Sequence, residues 1–99
     1  MKNFRTYQLA KELYQQCRKQ PVTGELRDQL HRASLSVVLN LTEGSAKPSL
    51  KERRRFYLIS LGSLREVQSI IDIENLPLEK LADQLGAYLY KLIKSLATE

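Results

Sequence analysis

One cysteine, one histidine and no tryptophan stand in a chain of 99 residues, and these scarcities exclude much of the chemistry a small protein can carry. A single cysteine, Cys17, allows no intrachain disulfide and implies no oxidising compartment. With His31 as the only histidine, zinc, iron–sulfur and haem sites have no ligand set. No Glu-x-x-His pair of the kind that holds metals inside helical bundles occurs. The four glycines fit neither a phosphate-binding loop nor a dinucleotide fingerprint, and a serine nucleophile would lack a base. The reading is a protein that is not an enzyme and needs no cofactor. Long apolar runs are missing too. The apolar stretch Phe56 to Leu64 has nine residues, and a membrane span needs about 20. No basic-then-apolar leader follows Met1. A soluble, cytoplasmic chain with no membrane partner is expected.

What is present is an ordinary globular composition, 42% hydrophobic and 27% charged, in a length that makes one domain, residues 1–99. A chain this short leaves about a third of its unfolded surface exposed, so association with copies of itself would stabilise it considerably. The formal charge is +5, and it is unevenly spread. Residues 45–65 hold six basic side chains and one acidic, whereas residues 66–99 hold three basic and six acidic. That asymmetry calls for an anionic partner on one face, or for complementary charged surfaces between subunits.

Apolar residues recur at helical spacing in four segments. The first covers about 4–19, with Phe4, Tyr7, Ala10, Leu13, Tyr14 and Cys17 on one stripe. Pro21 and Gly24 break it, and Thr23 is placed to cap the next segment. The second, about 25–43, carries Leu26, Leu30, Ala33, Val37 and Leu41, widened by Leu35, Val38 and Leu39. The third, about 50–74, places Phe56, Ile59, Val67, Ile70, Ile71 and Ile73 inward. Gly62 falls at mid-helix, where close approach of another helix would explain it. The fourth, about 78–96, carries Leu78, Leu81, Leu85, Tyr88, Leu92 and Leu96, flanked by Ala82, Leu89 and Ile93; Ala97, Thr98 and Glu99 should fray. Short connections between amphipathic helices predict an all-α, antiparallel up-down-up-down four-helix bundle. Helices two and four have more apolar residues than one seam needs, which points to a subunit interface.

The connection between helices two and three concentrates the remaining signals. Gly44 stands where a left-handed C-cap belongs, Pro48 follows, and Ser49 with Glu52 spells a capping box. Asn40 and Glu43 share a face of helix two. Glu43 opposes the helix dipole at that end, so a cationic partner is expected across the turn, Arg54 or Arg55 being nearest. Arg53, Arg54 and Arg55 fan over about 200° of helix and cannot all meet one ligand. Asn40, Glu43, Gly44, Ser49, Glu52 and Arg55 are therefore read as the structural corner. Lys47, Lys51, Arg53, Arg54 and Arg65 are read as a phosphate-binding surface for RNA or DNA, because arginine offers forked donors that match phosphate. The competing reading is a solvated face with ion pairs within and between subunits. No module for sequence-specific recognition is present. Cys17 reads as a small core residue, and His31 lies at the solvated or subunit-facing edge of helix two.

Three stretches together resemble a known family: L-R-D-Q-L-H-R-A-S-L-S-V-V-L-N-L-T-E-G (Leu26 to Gly44), S-L-K-E-R-R-R-F (Ser49 to Phe56) and L-G-S-L-R-E (Leu61 to Glu66). They are similar to the bacterial four-helix bundle proteins also called 23S rRNA intervening-sequence proteins. The resemblance implies a bundle that assembles into a ring-like homo-oligomer, typically a pentamer. It also implies kinship with the accessory variability proteins of diversity-generating retroelements, which are basic, bind nucleic acid and engage a reverse transcriptase. Arg32, Asn40, Glu43, Gly44, Glu52, Arg55, Phe56, Gly62, Ser63 and Glu66 match the family pattern, as fold and assembly residues more than an active site. The chain departs from the pattern in its short start before helix one and its compressed connection between helices three and four.

Overall fold

The computed structural model describes residues 4–96, so the C-terminal residues expected to fray lie outside it. The chain forms four helices, α1 (Arg5–Arg18), α2 (Gly24–Ser45), α3 (Leu50–Glu74) and α4 (Glu79–Ser95), with no strand among the described residues. The helices pack as a four-membered ring of neighbours, α1 on α2 and α4, and α3 on α2 and α4, while the backbones of the diagonal pairs stay apart. The result measures 42 × 22 × 20 Å. Leu9, Leu13, Leu30, Val37, Leu41, Leu64, Val67, Leu85 and Leu89 are fully buried along its axis.

The helix ends follow local chemistry. Gly24 adopts a left-handed φ of 65° at the start of α2, a conformation that costs glycine little. Thr23 stands at the N-cap, as its position predicts, but its side chain makes no capping bond. At α3 the Glu52 amide donates to Ser49 Oγ at 3.1 Å, and the Ser49 hydroxyl donates to Glu52 Oε1 at 3.2 Å. The capping box is thus present, with the carboxylate received by the hydroxyl. Asn75 closes α3 in the left-handed region at φ 52°, and the Leu76 amide reaches back to the Ile71 carbonyl at 2.9 Å.

Three features differ from the sequence pattern, and the first two share one cause. Gly44 is not a left-handed cap. It lies inside α2, buried, because a β-carbon there would stand 2.8 Å from the Tyr57 ring and 3.0 Å from Phe56 Cβ. Around it α2 and α3 are joined closely: Ser60 Oγ donates to the Val37 carbonyl at 2.8 Å, and the Ser36 and Ser63 hydroxyls meet at 2.7 Å. This small-residue seam turns α3 so that Tyr57, Ser60, Leu64, Val67 and Ile71 face inward. Ile59 and Ile73, read as inward, are 43% and 62% exposed. Gly62 then falls on the outer side, with nothing within 4 Å of where its β-carbon would be. In α4 the predicted flank of Ala82, Leu89 and Ile93 is itself core beside Leu85 and Gly86, and Tyr88 is 40% exposed.

Alanine at Gly44 cannot be absorbed by swinging Tyr57 aside, since that ring is buried and its hydroxyl is 2.9 Å from Ser45 Oγ. Gly44→Ala is expected to lower stability by about 1–3 kcal/mol through overpacking. Gly62→Ala should raise it by up to about 1 kcal/mol through helix propensity. Urea midpoints at one fixed protein concentration distinguish the two signs.

Candidate functional site

The corner residues are held by short local contacts. Asn40 Nδ2 donates to the Ser36 carbonyl at 2.9 Å and to Ser36 Oγ at 3.1 Å, so it belongs to the α2–α3 polar seam. Glu43 finds its cation in Lys47, at 3.0 Å, and not in an arginine across the turn. The Lys47 ammonium also lies 5.1 Å from the Phe56 ring centroid. Arg53 Nε donates to the Lys47 carbonyl at 2.8 Å and is half-buried. Arg55 is exposed, its guanidinium 5.8 Å from the Phe56 ring. Arg53 and Arg55 thus exchange the places that the sequence pattern assigned to them. Phe56 is half-buried at the N-terminal end of α3, and the backbone of the turn is what needs a donor there; Arg53, one turn from Leu50 and beside Tyr57 on the inward side, is the arginine that reaches it.

The five cations expected to line a phosphate surface divide. Lys47 and Arg53 are engaged at the corner. Lys51 and Arg54 are exposed and, with Glu52, Arg55 and Leu58, line a surface hollow of about 640 Å³ on the outer side of α3. Arg65 lies on the same side as Arg54, three turns further along, since 11 residues bring a helix back to nearly the same bearing. Its Nη1 donates to Gln68 Oε1 at 2.8 Å, and Gln68 Nε2 donates in turn to Asp83 Oδ1 at 3.1 Å on α4. Among the described residues Glu43–Lys47 is the only ion pair, so Lys51, Arg54, Arg55 and Arg65 carry charge with no carboxylate partner within salt-bridge distance.

The other end of the α3–α4 face has the opposite sign. Gln68, Asp72, Glu79 and Asp83 line a hollow of about 170 Å³ together with Ile71 and Ala82. Among the described residues no group of three or more His, Cys, Asp or Glu side chains is arranged to hold a metal ion, and no helix is long and apolar enough to cross a membrane. Sequence reasoning passed over Tyr90 and Lys94 on α4. Tyr90 is 56% exposed, and the Lys94 ammonium sits 6.0 Å from its ring centroid. A Tyr followed by Lys at i+4 is the signal that was available for the pair.

His31 is half-buried in α2, and its pKa is lowered first by burial and then by the charges of Arg27 and Arg18. Cys17 is fully buried. Burial pushes its thiol from 9.0 up to about 11, with the neighbouring Ser34 hydroxyl pulling the other way. Neither residue adjoins the exposed cations.

The arrangement defines a class: a small all-α four-helix bundle whose outer α3 surface presents cations without carboxylate partners. The chain belongs to the 23S rRNA-intervening sequence protein family, whose model matches residues 4–97. No curated protein and no solved structure matches it.

The buried thiol gives a check on the core. Because the folded state keeps Cys17 neutral, its contribution to stability is complete below the ordinary thiol value of 9.0 and is lost as the pH rises toward about 11. Urea unfolding from pH 8 to 11 should show that decline, and Cys17→Ala should flatten it. A thiol-reactive dye at pH 8 should label the native protein only at the rate of unfolding.

Proposed function

We propose that this protein is a non-enzymatic, homo-oligomeric helical bundle that binds nucleic acid through its phosphate backbone, with little sequence preference, as an accessory factor. The observation that carries the reading is the set of unpaired cations on outer α3: Lys51, Arg54, Arg55 and Arg65 point away from the core and make no ion pair among the described residues. Forked guanidinium donors on a rigid helix suit phosphate, and such contacts gain affinity by releasing counterions. Membership of a family named for an insertion in 23S ribosomal RNA makes RNA the first ligand to try.

The helices are read as antiparallel throughout. Contacts along α2 and α3 run in opposite directions, from Ser45–Tyr57 to Ser36–Ser63, and Gln68–Asp83 with Leu64–Gly86 makes α3 and α4 antiparallel as well. Assembly into a ring is supported by the outer face of α2 and α3. Leu35 and Leu39 are one turn apart on α2, and Leu39 and Ile59 lie three and four residues from the Ser36–Ser63 contact; Leu39 is 55% exposed. A second copy covering these side chains would bury apolar area worth about 25 cal/mol per Å². It would also repeat the cationic surface around the ring and raise its effective affinity. The alternative is an adaptor whose cations dock an acidic protein surface, such as that of a reverse transcriptase, since the same guanidinium forks fit carboxylates.

Light scattering should give a mass that is a multiple of the 11.4 kDa chain. Leu39→Lys combined with Ile59→Glu should return it to one chain with helical content intact; an unchanged mass would move the interface elsewhere. Fluorescence anisotropy with a labelled structured RNA should show affinity falling steeply with salt. Lys51→Glu with Arg54→Glu should lower the salt slope by about one for each phosphate no longer neutralised, while Lys47→Gln leaves it unchanged. Salt-insensitive binding, or nuclease-resistant capture of a protein by the same cations, would favour the adaptor.

A further inference from the structure

We infer that the ligand of this surface is single-stranded, and that Tyr90 of α4 stacks on its bases while the α3 cations hold its phosphates. The inference rests on the nucleic-acid reading above and adds to it the strandedness of the ligand and the residue that selects it.

The placement comes from the α3–α4 register. A β-carbon at Gly86 would lie 3.6 Å from Leu64 and 3.8 Å from an Arg65 guanidinium nitrogen, so Arg65 reaches across to α4 at that position. Tyr90 is one turn beyond Gly86, and moving one turn the opposite way on α3 reaches Leu61, then Leu58 and Arg54. Tyr90 therefore lies between Arg65 and the hollow lined by Lys51, Arg54 and Leu58. Leu58, 42% exposed, extends the apolar floor. Lys94, near the Tyr90 ring, adds a cation at the hollow's end of α4.

An exposed tyrosine alone is commonplace. Here, however, the helix register sets an exposed aromatic face on the same side as several cations that form no ion pair among the described residues, and single strands require that combination. Base stacking on an aromatic ring tolerates any sequence, and a cationic track follows the backbone. A duplex offers phosphates but keeps its base faces stacked, so it would use the cations and leave the ring idle. The same helix supplies a control. Tyr88 is also exposed, at 40%, but two residues place it about 200° around α4 from Tyr90, away from these cations.

The test measures anisotropy of a labelled unstructured 12-nucleotide RNA and of the matching duplex, with wild type, Tyr90→Ala, Tyr90→Phe and Tyr88→Ala. Tyr90→Ala should weaken single-strand binding at least about fivefold and leave duplex binding unchanged, while Tyr90→Phe retains it and Tyr88→Ala has no effect. Equal loss in Tyr88→Ala, undiminished binding by Tyr90→Ala, or a change of oligomer mass in Tyr90→Ala would overturn the inference. The underlying reading is judged by a separate arm: if Lys51→Glu with Arg54→Glu binds both ligands as wild type does, the phosphate surface itself fails. If only the charge reversal matters, phosphate binding stands and the stacking role falls.

Discussion

The approach of α2 to α3 at Gly44 and Tyr57 sets the orientation of the whole of α3. With no β-carbon at Gly44, the Tyr57 ring fits against the α2 backbone, and its hydroxyl meets Ser45 at 2.9 Å. Once Tyr57 faces inward, every other α3 residue has its bearing set in steps of about 100°. Ser60 and Leu64 join it in the seam. Lys51, Arg54 and Leu58 are turned outward on the side of α4, and Ile59 outward on the side of α2. The cationic surface and the exposed apolar face are both consequences of one steric choice, made with a glycine and a tyrosine.

The three consecutive arginines show how little a charge run says by itself. Arg53 commits its Nε to the Lys47 carbonyl and steadies the turn before α3. Arg55 is exposed near the Phe56 ring, and Arg54 opens onto the hollow beside Lys51. Residues of one type, adjacent in sequence, thus divide between the half-buried turn and the exposed surface because the helix separates them by about 100° each. Mutual repulsion among them is moderated by solvent and salt where they are exposed. Surface pairs such as Glu43–Lys47 add only about 0.3–0.5 kcal/mol, so the corner depends on its backbone hydrogen bonds and packing far more than on ion pairing.

The existence of four helices was legible because Pro21, Pro48 with Ser49, and Asn75 with Pro77 interrupt strong periodicity, and backbone chemistry at those points has few solutions. Helix phase was less legible. From Phe56 to Leu61 the chain is apolar nearly all round, so periodicity cannot say which side is inward; Ser60, polar in composition, is in the buried seam because its hydroxyl is satisfied by Val37. Gly62 and Gly44 illustrate the same limit. Both lie in the helical pattern, yet one faces open space and the other a tyrosine ring, and only the tertiary neighbour distinguishes them. At the candidate site, Lys51, Arg54 and Arg65 share a side as helical spacing implies. Tyr90 was hidden because Tyr88 continued the more regular stripe, whereas the core runs through Leu85 and Leu89.

The α3–α4 face also has a built-in direction. Arg54 and Arg65 are about 16 Å apart along α3 at 1.5 Å per residue, and beyond Arg65 the face passes through Gln68 to Asp72, Glu79 and Asp83. Phosphates would be attracted at the first end and repelled at the second, so a bound polyanion would be favoured over only part of one chain's length. The cationic segment is short, and a few unneutralised side chains in high dielectric give one protomer modest affinity. Useful binding then depends on bringing several such segments together, which is what burying Leu39 and Ile59 against a second copy would do. On the proposed reading the apolar face and the charged face, separated by the phase of a single helix, would act together: the first would supply the number of sites that the second needs.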